Sequence, residues 1–247
     1  MKRLLSAAAV ICFCGILIVG AKASAGKAND PSSIDRLAEM IAAEKPGREV
    51  RDQNGEFFVT SLKTDDFSDE KIGIDDIAFV GKSILITKDE ISDGERFYLA
   101  GGATQKEAHE KAIRYFKEYD ALYIKALGAG FSADDKEVKS YVESLKEISK
   151  AAANSEDVMK IISAYPSEDY YWNYMLEVYR KQLPVEKYVA SLEKRFSEKT
   201  GIDRGSMEFA EAWEKEFARI KEEAAKEENF TDSFTKDNLK EFLATSK

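Results

Sequence analysis

The sequence predicts a mainly α protein, in which a multi-helix bundle follows a short β-hairpin and a small α/β region precedes both. Beyond residue 87, apolar residues recur at helical spacing and capping motifs mark where helices begin. The 247-residue chain also has only 4 prolines, and 34% of its residues are charged. That composition is typical of a long helical protein.

Residues 1–23 have the pattern of an export signal. Lys2 and Arg3 precede the apolar run 4–20, and two overlapping small-x-small cleavage sites follow in 21–25. The alternative is an uncleaved N-terminal membrane anchor, because the run has about the 17 residues of the shortest membrane-spanning helices. We expect an extracytoplasmic protein that is secreted, periplasmic or associated with the cell envelope, and that meets a membrane only through this segment.

The composition excludes several classes of chemistry. Both cysteines, Cys12 and Cys14, lie in the signal, and His109 is the single histidine. Thiol chemistry and most metal sites are therefore not expected. Without Lys2, Arg3 and Lys22 the chain has 34 basic and 46 acidic side chains, a net charge of −12, which disfavours nucleic acid as a partner. We expect no cofactor.

Residues 24–76 are predicted to form an N-terminal leader, a short helix and a hairpin. Ser32 to Asp35 begins the helix and Pro46-Gly47 ends it. Asn54-Gly55 predicts a hairpin with a strand at 56–62, and an acidic linker follows at 65–76. One side of the helix is apolar and consists of Ile34, Leu37, Ala38 and Ile41.

Residues 77–247 are predicted to be the helical domain, entered through a hairpin. Strands at 77–80 and 84–86 flank a Gly81-Lys82-Ser83 turn. The capping boxes Thr87 to Glu90 and Thr104 to Glu107 begin the first two helices. The predicted helices cover residues 88–99, 104–127, 167–183, 184–200 and 206–225, and three further helices begin near 132–135, at 155 and in the tail. The helix that begins near 132–135 has an apolar stripe of Val138, Tyr141, Val142, Leu145 and Ile148. The tail helix contains Leu239, Phe242 and Leu243.

Two glycine motifs and the histidine have simpler structural interpretations than catalytic ones. Gly81-Lys82-Ser83 lacks the earlier glycine of a phosphate-binding loop and has Asp76 in its place. Gly128-Ala129-Gly130 follows a helix, so it is predicted to end that helix. His109 is predicted to lie at the boundary of a helix face. No Gly-x-Ser-x-Gly motif accompanies it.

The helix beginning at 167 has an unusually wide apolar surface. Its aromatic and apolar residues cover about two-thirds of the circumference at 100° per residue. Either this helix lies at the centre of the bundle, or part of its surface is an exposed patch that binds partners. The residues are Tyr170, Tyr171, Trp172, Tyr174, Met175, Leu176, Val178 and Tyr179.

Several segments resemble the N-terminal chaperone domain of SurA-type and PrsA-type extracytoplasmic foldases. They are 78–91 (AFVGKSILITKDEI), 130–138 (GFSADDKEV) followed by Tyr141, 167–172 (SEDYYW) and 179–183 (YRKQL). The resemblance covers about residues 77–225 and implies a SurA-N-like bundle. A parvulin-type prolyl isomerase domain interrupts the full-length foldases before their closing helix, and the short interval after Phe196 has no room for one. Isomerase activity is therefore not expected.

The resemblance implies a non-enzymatic protein that binds unfolded or partly folded polypeptides on an aromatic-rich helical surface. Tyr170, Tyr171, Trp172, Met175 and Tyr179 are the predicted client contacts. One alternative is a cell-envelope structural or interaction protein with a single dedicated partner. A second alternative is a secreted hydrolase with a carboxylate pair assembled in space.

Overall fold

The computed structural model describes residues 31–43, 76–152, 154–235 and 239, and these residues are 77% helical. The prediction of a mainly α protein with a short β-hairpin is confirmed. The described elements are α1 (Pro31–Ala43), β1 (Ile77–Val80), β2 (Leu85–Thr87), α2 (Lys88–Ala100), α3 (Gln105–Gly128), α4 (Asp135–Ala151), α5 (Ser155–Ala164), α6 (Glu168–Thr200) and α7 (Met207–Glu228).

Several sequence-based predictions fall on residues outside this description. They are the signal at 1–23, the hairpin at 54–62, the linker at 65–75 and the tail residues Phe242 and Leu243. Among the described residues, no helix combines the length and the apolar character that a membrane span requires.

The chain divides into two compact units. The helical unit consists of Met1–Gly47 and Ala126–Ile220, and the hairpin unit consists of Arg48–Lys125 and Lys221–Lys247. Helices α3 and α7 therefore contribute residues to both units. The sequence places α1 in a leader that precedes the domain at 77–247, whereas in the structure α1 packs against α5 within the helical unit.

Local signals explain the hairpin unit. Strands β1 and β2 pair antiparallel, with an irregularity between Ile77 and Phe79. Thr87 ends β2 and caps α2, since its hydroxyl accepts from the Glu90 N–H at 3.2 Å while the Glu90 carboxylate accepts from the Thr87 N–H at 2.8 Å. This reciprocal pair satisfies two N–H groups that a helix start otherwise leaves unpaired. Thr104 and Glu107 make the same exchange before α3.

The hairpin turn is held by the end of α7. The Ser83 N–H donates to the Glu228 carboxylate at 2.8 Å, and the Lys82 N–H donates to the Glu228 carbonyl at 2.9 Å. Beyond α7, Thr231 exchanges two backbone hydrogen bonds with Val80, at 2.8 and 2.9 Å. The end of α7 therefore holds the turn, and the segment after it pairs with the first strand.

In the helical unit, α4 and the first half of α6 run antiparallel. Lys187 pairs with Glu137 near the start of α4 at 2.6 Å, and Lys146 near its end lies 3.8 Å from Glu168. Helix α5 packs against both. Their shared core consists of Val138, Val142, Leu145, Val158, Ile162, Tyr171, Trp172, Met175, Tyr179 and Leu183.

Two sequence-based predictions about these helices are wrong. The predicted break at Pro184 does not occur, because α6 continues to Thr200 and ends at Gly201 with φ +72°. Proline removes one helical N–H, but Pro184 lies in a buried segment between Leu183 and Val185 whose apolar packing keeps the helix continuous. In α4, Ile148 is 52% exposed, since the buried stripe continues from Leu145 to Ser149 instead.

The second half of α6 packs against α7 through a row of aromatic rings. Phe196 lies 5.8 Å from Phe209 and 5.7 Å from Trp213, and Trp213 stacks on Phe217 at 5.4 Å, measured between ring centroids. Phe209 and Trp213 are buried. These contacts join α6 and α7 across the 201–206 loop.

Candidate functional site

The structure separates the predicted client contacts into a buried group and a half-buried residue. Tyr171, Trp172, Met175 and Tyr179 are 1%, 6%, 0% and 2% exposed, respectively. They lie on the side of α6 that faces α4 and α5, so burial makes them the centre of the core. The exposed-patch interpretation therefore does not apply to these four side chains in this conformation. Tyr170 alone of the five is half-buried.

Charged side chains cover the edge of the core at Trp172. The indole N–H of Trp172 donates to the Glu168 carboxylate at 3.1 Å. The Lys146 ammonium lies 5.8 Å from the indole centroid and 3.8 Å from the same carboxylate. This arrangement satisfies the buried indole N–H and places a cation over the ring face. The Lys146–Glu168 ion pair therefore covers the edge of Trp172.

The half-buried tyrosines Tyr165, Tyr170 and Tyr174 form a second group, here called the tyrosine cluster. The Tyr165 ring centroid lies 6.2 Å from that of Tyr170 and 6.1 Å from that of Tyr174. All three side chains keep part of their surface in solvent. The cluster is therefore an aromatic surface at the junction of α5 and α6.

Local structure positions these three rings. Tyr165 is the C-cap residue of α5, and its N–H donates to the Ile162 carbonyl at 3.2 Å. Ser167 is the N-cap of α6, and its hydroxyl accepts from the Tyr170 N–H at 3.0 Å. Tyr174 follows one helical turn after Tyr170, which places both on one side of α6. The short α5–α6 connection thus brings rings from two helices together.

The core below fixes the cluster. Tyr165 also contacts the buried Tyr171 edge to face, with the ring centroids 5.2 Å apart. Tyr165 and Tyr174 both pack against the core that contains Met175. A tyrosine ring combines an apolar face with a hydroxyl, and it loses little conformational freedom on binding. The partly exposed ring surfaces of the cluster can contact apolar side chains of a polypeptide.

Acidic side chains flank the cluster. Glu168 and Asp169 are exposed in the first turn of α6, where they complement the helix dipole. Met159 on the preceding helix is 45% exposed. The resulting surface combines aromatic rings with negative charge, as expected from the net charge of the chain.

A polar seam with two unusual carboxyl groups lies between α4 and α6. Burial raises the pKa of Glu177 to about 7, although Arg180 donates to both of its oxygens at 3.0 and 2.9 Å and opposes the shift. Burial also raises the pKa of Glu186, which accepts from the Tyr141 hydroxyl at 3.1 Å and from the Gln182 amide at 2.7 Å. Both carboxyls are therefore easier to protonate than a solvated glutamate.

The two raised carboxyls do not have the spacing of a glycosidase pair. Glu177 and Glu186 lie nine positions apart on one helix, which is about 13.5 Å along its axis. Inverting glycosidases hold their acid and base about 6.5–9.5 Å apart, and retaining enzymes hold them closer. The Glu186 carboxyl is also engaged by Tyr141 and Gln182. This pair therefore does not support the hydrolase alternative.

The other motifs have structural roles in the part of the chain that is described. The exposed His109 places its Nδ1 against the Glu95 carboxylate. The Ser83 N–H in the glycine turn binds the chain's own Glu228. Gly130 adopts φ +83° as α3 ends, confirming the predicted stop. Among the described residues, no group of three or more histidine, cysteine or acidic side chains could hold a metal ion.

Sequence reasoning did not include Tyr165 and Tyr174 among the client contacts. At 100° per residue, Tyr174 lies on the Tyr170 side of the helix, so a helical-wheel projection could have paired them. Tyr165 precedes the break between two helices and has no comparable periodic signal. Only the three-dimensional junction of α5 and α6 shows that its ring joins the other two.

The chain matches none of the protein-family models, curated proteins or solved structures with which it was compared. The SurA-type resemblance therefore stays a prediction from the quoted segments. The geometry of the described residues carries the functional proposal.

Proposed function

We propose that this chain is an exported, non-enzymatic, chaperone-like protein that binds apolar segments of unfolded or partly folded polypeptides. The observation that carries the proposal is the tyrosine cluster, in which Tyr165, Tyr170 and Tyr174 present partly exposed rings on a rigid helical core. Binding of this kind requires surface complementarity and no cofactor. The acidic flank formed by Glu168 and Asp169 keeps the occupied surface hydrated.

The buried group has a supporting role in this proposal. Tyr171 and Met175 hold the cluster from beneath, so the rings are ordered before a client arrives. A preordered surface loses less conformational entropy on binding than a mobile one. Of the predicted contacts, Tyr170 contacts the client directly, whereas Tyr171, Trp172, Met175 and Tyr179 support the surface from the core.

The helix order is consistent with a SurA-N-like bundle without an isomerase domain. Helix α6 ends at Thr200 and α7 begins at Met207, so the interval that contains the isomerase domain in the foldases is here the 201–206 loop. Helix α7 then returns to the hairpin through Glu228 and Thr231, as a closing helix would. We propose the chaperone-like part of that function without its catalysis.

Three partly exposed rings support only weak, reversible binding. Apolar burial contributes about 25 cal/mol per Å² before the cost of ordering the client. We therefore expect dissociation constants in the micromolar range or weaker. Such affinity suits a protein that holds and releases many sequences.

The test is suppression of aggregation of a chemically denatured client at equimolar ratio, followed by light scattering. The wild-type chain should lower the scattering, and the double variant Tyr170→Ala/Tyr174→Ala should lose most of this effect. Tyr188→Ala is the matched control, because Tyr188 is also half-buried on α6 but packs against Phe131 outside the cluster. All proteins are first checked for equal helicity by circular dichroism.

Two results would contradict the proposal. One is a wild-type chain that leaves aggregation unchanged, and the other is equal protection by the double variant and the wild type. A pull-down with the wild-type chain separates the chaperone from the interaction-protein alternative. Many unrelated captured polypeptides support a chaperone, whereas one dominant partner supports a dedicated interaction protein.

A further inference from the structure

Helix α1 packs against α5 without a short covalent connection to it. Both belong to the helical unit, but the rest of that unit begins at Ala126, so the chain between them passes through Arg48–Lys125 of the hairpin unit. The α1–α5 contact is therefore a non-covalent association that the connecting chain permits but does not enforce.

The ends of α1 lack the charges that would stabilise an isolated helix. Helix α1 has 13 residues, with no acidic side chain in its first turn and no basic one in its last. Isolated helices of this length are marginal in water, and complementary charges at the ends are absent. Docking on α5 must therefore supply much of the stability of the helical state. In this respect α1 resembles a segment that folds when it binds.

The apolar side of α1 is only partly enclosed. Ile34 is 5% exposed, whereas Leu37, Ala38 and Ile41 on the same side are only half-buried. On α5, Ile161 is 3% exposed and lies next to Lys160, whose ammonium pairs with the Asp35 carboxylate of α1. The Asp35 carboxylate raises the pKa of Lys160. The contact thus includes apolar side chains that stay partly exposed and an exposed ion pair, which contributes little stability.

We propose that the Lys160–Ile161 side of α5 is a binding site for short amphipathic helices, and that α1 occupies it as an internal ligand. This inference goes beyond the proposed function, because it adds a second site whose clients are helical segments. The preferred segment folds into a helix with apolar residues at the spacing of Ile34, Leu37 and Ile41. An acidic residue next to the first of them pairs with Lys160. Such a client binds by displacing α1.

The experiment uses the full chain and a fluorescein-labelled synthetic peptide with the sequence of residues 31–43, followed by fluorescence anisotropy. In the wild type, the tethered α1 competes at high effective concentration. In Leu37→Asp/Ile41→Asp, two charges on the docked side release α1, and the peptide should bind at least tenfold more tightly. Glu39→Gln is the matched control, since Glu39 is exposed on α1 and this variant should bind as the wild type does.

A charge exchange tests the ion pair. A peptide carrying Asp35→Lys should bind the double variant more weakly, and adding Lys160→Glu to the protein should restore binding. If Leu37→Asp/Ile41→Asp lowers the overall helicity, the single variant Asp35→Lys replaces it, because Asp35 is exposed. The expected gain in peptide binding is then a few-fold.

Hydrogen exchange of the wild-type chain gives an independent answer. Amides of α1 should exchange through local opening and therefore faster than those around Met175 in α6. Protection of α1 equal to that of α6 would overturn the inference, as would peptide binding that is no tighter in the variant with released α1. Peptide binding without any suppression of client aggregation would retain this site and reject the proposed chaperone function.

Discussion

The hairpin turn and the tyrosine cluster differ in how far the chain itself covers them. At the turn, the N–H groups of Lys82 and Ser83 are satisfied by Glu228, and Phe230 packs over Gly81. At the cluster, Tyr170 and its neighbours keep part of their rings in solvent. The proposed function therefore places polypeptide binding at the partly exposed tyrosine cluster. It does not place binding at the Gly81-Lys82-Ser83 turn, although the sequence of that turn looks more like a known motif.

The same contrast divides α6 along its length. Tyr171 and Met175 are enclosed by α4 and α5, whereas Tyr170 and Tyr174, each one position away, reach the surface. Residue type is similar in the two groups, and the position of each residue around the helix decides which group is buried and which is partly exposed. Variants on each side should consequently separate these two properties.

The largest effect is expected inside the core. Met175→Ala leaves a cavity at a fully buried position and should lower the free energy of unfolding by about 2–5 kcal/mol. Tyr174→Ala removes a half-buried ring and should cost roughly 1 kcal/mol or less. Urea denaturation followed by circular dichroism measures both. Equal losses for the two variants would show that the core and the cluster are not distinct.

A smaller loss is expected at the hairpin turn. A Cβ at Gly81 would lie 2.8 Å from the Phe230 ring and 3.0 Å from both the Glu228 carboxylate and the Ile84 carbonyl. Gly81→Ala should therefore destabilise the chain by about 1–3 kcal/mol.

Gly128→Ala is the control for this variant, because Gly128 ends α3 with nothing within 4 Å of its added Cβ. It should be neutral or stabilise the chain by up to about 1 kcal/mol. Thermal melting compares the two glycine variants. A tolerated Gly81→Ala would mean that the turn is less closed than the contacts with Phe230 and Glu228 indicate.

The smallest effect depends on pH and concerns the seam between α4 and α6. Since burial raises the folded-state pKa of Glu177 from 4.5 to about 7, its contribution to stability is fully present below pH 4.5 and is lost as pH rises to about 7. Glu177→Gln removes this dependence. Between pH 4.5 and 8, the unfolding free energy of the variant should rise relative to that of the wild type. The expected difference is only about 1 kcal/mol, because solvent screens this partly exposed group.

Glu216→Gln provides a control of opposite sign. Glu216 pairs with Arg219 three residues later, as Glu177 pairs with Arg180, but the hydrogen bonds from Arg219 lower the pKa of Glu216. Its stabilising contribution is present above pH 4.5 and is lost as pH falls. As pH rises from 3 to 8, denaturation curves should therefore show that this variant becomes less stable relative to the wild type. Parallel curves for both variants would contradict the burial of Glu177.

Local signals were sufficient to predict the two strands and the helix starts that follow them. The strands around Gly81, and the capping boxes at Thr87 and Thr104, involve residues close in sequence, so their geometry follows from short-range chemistry. Two predictions that depend on contacts between residues far apart in the sequence are wrong. Helix α6 continues through Pro184, and Ile148 faces solvent, because tertiary contacts override local preference.

The candidate site was only partly predictable for the same reason. The sequence identifies the wide apolar surface of α6, but the partners α4 and α5 determine which part is covered. Tyr170 is the predicted contact that reaches the surface, whereas Tyr165 enters the cluster from another helix. The docking of α1 on α5 joins segments far apart in the sequence, and no periodic pattern encodes such a contact.

The most direct test of the central claim is site-specific photocrosslinking to a denatured client. A benzophenone side chain replaces Tyr174 in the cluster or, in a second protein, Lys194, which is exposed elsewhere on α6. We predict that the client becomes attached at position 174 with a yield several-fold higher than at position 194, because the proposed function places client segments against the tyrosine cluster. Equal attachment at the two positions, or attachment only at position 194, would contradict the account.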